Sequence, residues 1–335
     1  MVDPRSPQGP LGGPNHASAG PAGPAPARAA AVGIAKPPRA AASLFRQRRR
    51  FVWSLIAPAA LVLLVFQVLP IVMGVDASLR AYSLTDLEHP FVGFKNFRRV
   101  LTDAHFRGVV LLNTFTFMLL SVAGGVVLGL GIALLLNRRF WGRSVARTAI
   151  VFPLMVAPVV ASIMIAWIFN DQFGIANVLV TALGFEPIAW LVRPRLGLLI
   201  VILTDVWLQT PFYVLIILAA LQTMPREPHE AARVDGANAW QVFRNVTLPL
   251  LRPVLLVAIV IRSIDAFRVF DTVWTITKGE PGRATEVFSI YAYKEAFVFL
   301  NFGMGAASSL VGAVIIMVVG WVLYLGLSYV TEVSR

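Results

Sequence analysis

The chain has 335 residues, of which 57% are hydrophobic and 14% are charged, and its mean hydropathy is +0.74. Soluble domains are roughly 45–50% apolar and about 25% charged, so this composition excludes an ordinary soluble domain and indicates an integral membrane protein. The absence of cysteine excludes disulfides and thiolate metal sites, and the four histidines show no metal-ligand spacing. The formal charge of +12 does not indicate nucleic-acid binding, because most basic residues flank apolar stretches.

The N-terminal segment differs in composition from the rest of the chain. Residues 1–45 are rich in Ala, Pro and Gly and include one acid, Asp3. Such a segment cannot bury a core, so it is predicted to be a disordered tail. No apolar stretch occurs before about residue 51, so a signal peptide is not expected. Residues 46–335 are predicted to form the transmembrane domain.

Six apolar stretches follow the tail, each near the ~20 residues that an α-helix needs to cross the hydrocarbon core. The third contains Pro153 and Pro158, which predict a kink, and the fifth is less apolar than the others. The predicted fold is therefore an all-α integral membrane protein with six transmembrane helices. The expected spans lie at about 52–75, 109–136, 148–169, 197–222, 253–277 and 304–330.

The distribution of Lys and Arg predicts how these spans are oriented. With the N-terminus inside, seventeen basic residues lie in inside segments and ten in outside loops, while Arg262 and Arg268 fall within a span. Because cytoplasmic loops carry an excess of Lys and Arg, the N-terminus is predicted to be cytoplasmic. The bias is greatest at 46–50 and 138–147, although the first outside loop, 76–108, is unusually basic.

The polar loop 223–252 between spans four and five carries a pattern of its own. A helix-forming run begins at His229, and Glu230 lies in its first turn, where the helix dipole favours an acid. Gly236 occupies the position after the helix where glycine is a common stop signal. The loop should therefore open with a short helix that ends at Gly236.

A second short helix is predicted over 238–246. The spacing of Trp240 and Phe243 puts both rings on one side of it, and Pro249 is expected to end it. Two short helices at an angle, on the cytoplasmic face, are typical of a part that docks into a partner. The alternative is an amphipathic loop on the membrane surface, but that requires no glycine-bounded break.

This loop resembles the EAA loop of bacterial ABC importer permeases. In that family Glu-Ala-Ala is followed by Asp-Gly-Ala, then an aromatic residue and Leu-Pro. The resemblance covers about residues 52–330 and is greatest to the first permease subunit of sugar importers of the maltose and glycerol-phosphate type. The matching loop residues are Glu230, Ala231, Ala232, Asp235, Gly236, Phe243, Leu248 and Pro249.

The resemblance implies that the chain pairs with a second, related permease and that both dock onto a cytoplasmic ATPase dimer. Closure of that dimer by ATP would move the two loops together and turn the cavity from inward-facing to outward-facing. An extracytoplasmic sugar-binding protein would deliver the substrate. In the loop, Glu230 is expected to meet basic groups of the ATPase and Gly236 to set the bend, while Ala231 and Ala232 permit close approach.

The chain itself contains no Gly-x-x-x-x-Gly-Lys-Ser/Thr sequence, which is the usual phosphate-binding loop of ATPases. It is therefore expected not to be an enzyme and to hold no cofactor, with ATP and Mg bound by the partner subunits. The implied location is the bacterial cytoplasmic (inner) membrane, where membrane lipid surrounds the spans.

Charged residues occur inside the apolar spans. Asp205 lies in the fourth span. The fifth span contains charged residues at intervals of three, which lets opposite charges pair along one helix face: Arg262, Asp265, Arg268 and Asp271. A lone charge at the bilayer centre costs roughly 2.5–3.5 kcal/mol on insertion scales, so such residues face a cavity or a partner. They either bind substrate or form an ion-pair ladder that holds helices together.

The family resemblance places substrate-binding positions among these residues. Counting from Glu230, the positions that match the sugar-binding ones of maltose-type members are Asp205, Gln209, Arg262 and Asp265, with Phe212 nearby. Carboxylates accept hydrogen bonds from sugar hydroxyls, and arginine donates to sugar oxygens. Maltose-type members have neutral polar groups there, so a charged or phosphorylated substrate stays open beside an oligosaccharide or polyol.

Two other functional classes are open from the sequence. An ion-coupled secondary transporter could use Asp205 and Asp265 as proton or sodium sites, but the six spans show no inverted repeat and the loop would have no role. A non-transporting membrane scaffold could recruit a soluble partner, but it would not need charges inside the membrane.

Overall fold

The computed structural model describes residues 39–83, 85–86 and 88–332, with side-chain surroundings described from residue 51 to 326 of these. Of the predicted disordered tail, residues 1–38 lie outside the described part. Residues 39–45 are helical rather than tail, because an alanine-rich run starts the first helix at Arg39. By its contacts the chain forms two units, Met1–Leu61 and Val62–Arg335, and the packing described below lies within the second.

The described residues are helical apart from turns and one isolated antiparallel bridge between Arg80 and Phe91. Single turns of π-helix at Leu64–Val68, Phe106–Val110, Phe243–Thr247 and Lys294–Val298 adjoin these helices. The α-helices are α1 (Arg39–Leu63), α2 (Leu69–Ser78), α3 (Lys95–Thr102), α4 (Leu111–Asn137), α5 (Arg143–Met155), α6 (Pro158–Ile168), α7 (Ile175–Ala182), α8 (Pro194–Thr223), α9 (Glu227–Val234), α10 (Ala239–Val242), α11 (Leu248–Phe267), α12 (Asp271–Ile276), α13 (Phe288–Tyr293) and α14 (Phe302–Glu332).

Among the described residues, five helical runs are long and apolar enough to cross a membrane, and α5 with α6 makes a sixth if the pair counts as one span. The kink predicted in the third span is confirmed as a bend of 95° between α5 and α6. Pro153 lies inside α5 and Pro158 in the first turn of α6. The five runs are Phe51–Ser78, Phe106–Asn137, Pro194–Thr223, Ala239–Phe267 and Phe302–Gly326.

The fifth helix lies earlier in the chain than the sequence predicted. We expected a span at 253–277, whereas the helical run extends from Ala239 to Phe267. Residues Asp271–Ile276 form the separate helix α12, which packs against α6 and α8. Val273 and Ile276 of α12 are buried in the core. Hydropathy alone cannot separate such a buried short helix from the end of a membrane span.

Pro249 does not end the second loop helix, contrary to the prediction. The π-helical turn Phe243–Thr247 precedes it, and Pro249 falls in the first turn of α11. The wider π-helical turn, in which Leu248 N–H bonds to Phe243 O, lets the helical run continue through the proline, which has no N–H to donate. The loop therefore runs into the fifth span without a break.

The core is built on the close packing of α4 against α8. Gly125 and Gly129 lie on α4 facing Tyr213 of α8, whose side chain is fully buried. A Cβ atom at Gly125 would lie 2.3 Å from the Cε2 atom of Tyr213, and one at Gly129 would lie 2.4 Å from its Cβ atom. Glycine is required at both positions for the two helices to approach this closely.

Candidate functional site

The first helix of the loop, α9, ends where the sequence predicts but begins at Glu227 rather than at His229, because Pro228 is tolerated in the first turn of a helix. Glu227 and Glu230 lie in its first turn, where the N-terminal dipole stabilises acids. Gly236 has a φ of +80°, the left-handed conformation that glycine adopts without strain. Its N–H donates to Arg233 O at 3.1 Å, and Ala237 N–H donates to Ala232 O at 2.9 Å. These two bonds close the helix, so the predicted stop at Gly236 is confirmed.

The next helix begins with a reciprocal cap. The Asn238 side chain accepts from Gln241 N–H at 2.9 Å, and the Gln241 side chain accepts from Asn238 N–H at 2.8 Å. This capping box fixes the sharp turn after Gly236. The rings of Trp240 and Phe243 are 5.4 Å apart between centroids, so their predicted shared side is confirmed.

The loop residues matched to the EAA pattern form a mostly open surface. A hydrogen bond of 3.1 Å between His229 Nε2 and Thr247 Oγ1 joins the two parts of the loop. Glu230 forms no ion pair in the described part of the chain. The exposed members are Glu230, Ala231, Asp235 and Gly236, and the half-buried ones are Ala232, Phe243, Leu248 and Pro249.

Inside the bundle, Asp205 joins three helices. Its carboxylate accepts from Arg262 Nη2 of α11 at 3.0 Å and from the Ser121 hydroxyl of α4. Asp205 and Arg262 are each only 5% exposed, so their charges neutralise one another away from water. A buried pair of this kind ties α8 to α11, and losing either partner would leave a costly bare charge.

The ion pairs continue from this buried centre toward the surface. Arg262 Nη1 lies 3.7 Å from Asp265 Oδ2, and Arg268 Nη2 donates to Asp265 Oδ1 at 2.8 Å. The exposed fraction of the side chain rises from 6% at Arg262 to 38% at Asp265 and 72% at Arg268. The predicted pairing at intervals of three is confirmed for these residues. Asp271 joins no ion pair within the described residues.

Gln209 and Phe212 follow Asp205 on α8 at intervals of four and seven residues, on the same side of the helix. Both are half-buried, and the Gln209 amide has no side-chain hydrogen bond in the described part of the chain. The structure thus brings Asp205, Arg262 and Asp265 into one network and leaves a free amide on the same helix face.

Two polar groups were missed by the sequence analysis. Ser121 was not singled out, because a serine in an apolar helix is common and only the α4–α8 register reveals its partner. The second is a buried cluster around Glu286, whose side chain is fully buried. Its carboxylate contacts His105 Nε2 at 2.7 Å, Arg283 Nε at 2.9 Å and Lys294 Nζ at 3.3 Å.

This Glu286 cluster fastens the segment before α13 to the start of α4. The Asn113 amide donates to Ala284 O at 2.9 Å and to Glu286 O at 3.0 Å. Lys294 Nζ also reaches Glu280 Oε1 at 3.0 Å, and this hydrogen bond lowers the pKa of the Glu280 carboxyl below its usual range. Residues far apart in sequence are thus held together by charge at the end of the bundle opposite the loop.

Comparison with known proteins places this geometry in a family. The family model described as "Binding-protein-dependent transport system inner membrane component" matches residues 125–331. The trehalose/maltose transport system permease protein MalF of Thermococcus litoralis is 37% identical over 263 residues, which are 78% of this chain and 88% of that protein. The sulfoquinovosyl glycerol transport system permease protein SmoG of Agrobacterium fabrum is 36% identical over 258 residues, 77% of this chain and 83% of that protein.

A solved structure shares the fold. The crystal structure of a bacterial ABC transporter involved in the import of the acidic polysaccharide alginate superposes with a TM-score of 0.76 at 22% identity, covering 86% of this chain and 99% of that one. The all-helical architecture is therefore that of an ABC transporter permease. With a family model over more than half of its length and relatives above 30% identity, the chain belongs to the family of inner-membrane components of binding-protein-dependent transport systems.

Proposed function

We propose that this chain is a permease subunit that translocates a sugar by alternating access, driven by ATP hydrolysis on a partner. The observation that carries this proposal is the loop between α8 and α11. It is a two-helix element whose central turn is fixed by the Gly236 stop and the Asn238–Gln241 capping box, and it presents an unpaired acid at Glu230 and an exposed Trp240. The loop has well-defined secondary structure but packs little against the rest of its own chain. This combination is expected of a surface that binds a partner.

The proposed assembly is supported by the family and by the charge pattern. With the N-terminus in the cytoplasm, the loop meets an ATPase dimer that holds ATP and Mg, and the chain itself catalyses no hydrolysis. A second permease completes the translocation path, and an extracytoplasmic binding protein supplies the substrate. The Lys and Arg bias supports this orientation.

We place the substrate path at the more exposed end of the ion-pair series, near Asp265. Asp205 and Arg262 are buried against each other, so their role is to position Asp265, whose carboxylate is partly exposed. Gln209 and Phe212 offer an amide and an aromatic face, a combination suited to sugar hydroxyls and to the apolar face of a sugar ring. We assign the substrate class as an oligosaccharide or polyol, and the relative named for trehalose and maltose supports the oligosaccharide.

An ion-coupled secondary transporter fits the structure less well. A proton or sodium site needs a carboxylate that can exchange its partner, whereas Asp205 is held by both Arg262 and Ser121. Family membership also favours the importer over this alternative.

The test is a pull-down of the tagged chain from native membranes in mild detergent, followed by mass spectrometry. Recovery of a second permease and an ATPase with a phosphate-binding loop is the expected result. Recovery of the chain alone, or only with copies of itself, would contradict the docking role and favour the secondary-transporter hypothesis.

Replacement of Asp265 by alanine should lower substrate uptake without dissociating the complex of the permease with its ATPase subunits. The loss of a charge-assisted hydrogen bond to substrate corresponds to about a tenfold fall or more. The buried pair of Asp205 and Arg262 remains, so ATPase subunits should still co-purify. Uptake into vesicles, measured beside co-purification, checks both expectations.

The matched control is Arg268→Ala, which breaks the same Asp265–Arg268 ion pair but keeps the carboxylate. Arg268 is largely exposed, so this variant should retain most of its uptake. If the Asp265→Ala and Arg268→Ala variants take up substrate equally well, Asp265 does not bind substrate and its role is limited to the ion pair.

A further inference from the structure

A large basic cavity lies at the end of the bundle that carries the loop. Its volume is about 1040 Å³, and its walls come from the C-terminal end of α4, the N-terminal part of α5, the end of α8 and the loop helices. Glu230 is the only acid among its lining residues, which is too little to balance the arginines. The arginines that line it are Arg138, Arg139, Arg143, Arg147, Arg226 and Arg233.

These arginines lack acidic partners. In the described part of the chain none of the six forms an ion pair, whereas the Glu286 cluster and the Asp205 network pair the buried cations they contain. The Nε and Nη2 groups of Arg147 are buried without any hydrogen-bond partner. Buried guanidinium N–H groups favour an acceptor, and an anion in this cavity would supply one while offsetting the excess positive charge of its wall.

One of the arginines is fixed in place by the fold. Arg143 Nε donates to Leu136 O at 2.6 Å and so holds its guanidinium against the C-terminal end of α4. Arg143 also begins α5, whose first N–H groups add positive potential at the same place. An anchored arginine beside a helix N-terminus is a preorganised arrangement for a phosphate group.

The depth of the cavity indicates where such an anion comes from. The long apolar helices α4 and α8 end here, at Asn137 and Thr223, and we expect hydrocarbon to give way to lipid headgroups at this level. Beside it, the side chains of Trp141 and Phe140 are 99% and 46% exposed. Exposed aromatic rings next to arginines at the end of a span are typical of anchors at headgroup level.

We propose that this cavity binds a phosphate-bearing anion, and that the phosphodiester of an anionic membrane lipid is its source. Arg139 and Arg147 belong to the α4–α5 side of the cavity, while Arg226 and Arg233 belong to the loop. A phosphate shared between the two sides braces the loop against the rest of the bundle. Basic pockets between membrane helices bind anionic headgroups by the same electrostatics.

The test is native mass spectrometry of the full chain, with whatever subunits remain bound, during titration with phosphatidylglycerol, phosphatidylcholine or inorganic phosphate. Phosphatidylglycerol should bind the wild-type chain, and Arg139→Gln/Arg147→Gln should weaken this binding about tenfold or more, as expected for lost charge-assisted hydrogen bonds. The matched control is Arg193→Gln/Arg195→Gln. It removes the same charge at the opposite end of α8 and should bind as the wild type does.

Competition separates the two sources of the phosphate. If phosphatidylcholine and inorganic phosphate fail to displace phosphatidylglycerol, the anionic lipid is the ligand. If inorganic phosphate displaces it at low concentration, the site is one for a free anion. Equal phosphatidylglycerol binding by both double variants would overturn the proposal. Loss of a bound subunit with unchanged lipid binding would also overturn it and assign the arginines to a protein contact. The single charge reversal Arg139→Glu, on an exposed side chain, provides a second variant with the same expected loss.

Discussion

Replacing Gly236 by proline should abolish substrate uptake while the chain still inserts into the membrane. Gly236 has a φ of +80°, which proline cannot adopt because its ring fixes φ near −65°. Proline also removes the N–H that donates to Arg233 O at the end of α9. The break between the two loop helices would be lost, and Glu230 would no longer be presented at its present angle. Uptake by vesicles and the amount of co-purified ATPase subunit measure the result.

The matched control for this change is Gly236→Asn, because asparagine tolerates the left-handed conformation far better than other residues with a side chain. No atom would obstruct its Cβ, since nothing lies within 4 Å of that position. This variant should keep most of the uptake. A second variant, Glu230→Lys, reverses the charge on an exposed side chain and should also abolish uptake. If both the Gly236→Pro and the Glu230→Lys variants take up substrate normally, the loop does not dock onto a partner as proposed.

Replacing Arg262 by alanine should destabilise the fold more than any change on the loop. It leaves the Asp205 carboxylate buried, with Ser121 as its remaining partner. Breaking one half of a buried pair costs about 3–5 kcal/mol, a large part of the ~5–15 kcal/mol that stabilises a typical domain. Thermal or denaturant unfolding of the purified chain in detergent should show this as a marked loss of stability.

The double variant Asp205→Asn/Arg262→Gln separates the charge from the packing. With both charges removed no bare ion is buried, so most of the lost stability should return. The exposed Arg268→Ala serves as the reference and should change the free energy of unfolding by less than about 1 kcal/mol. A single variant Arg262→Ala as stable as that reference would show that the buried pair contributes nothing to the fold.

The loop was accessible from the sequence because its signals are local. Gly236 marks the end of α9 through its own conformational freedom, and the second helix was predicted over 238–246, although the Asn238–Gln241 cap that starts it was not. The ring pair of Trp240 and Phe243 depends on helix periodicity alone. Such features require no knowledge of tertiary packing, and they appear in the structure as the spacing indicates.

Elements that depend on packing were predicted less well. The end of the fifth helix at Phe267 is set by α12 folding back onto α6, which hydropathy does not report. Pairing within the fifth helix was foreseen from spacing, but the bond from Arg262 across to Asp205 depends on helix register. In the Glu286 cluster, His105 contacts Glu286, which lies far along the chain, and no local sequence pattern in either segment predicts this contact.

The sharp turn between α5 and α6 has a consequence for how the protein is made. α5 has 13 residues and α6 has 11, so at 1.5 Å per residue each is about 16–20 Å long, well short of the ~30 Å hydrocarbon layer. Neither half can be threaded into the bilayer as a finished span, and the backbone groups exposed at the break need shelter from lipid. That shelter comes from α8 and α12, which contact these halves but are synthesised after them. The third segment can therefore complete its packing only after α8 and α12 have been added to the chain.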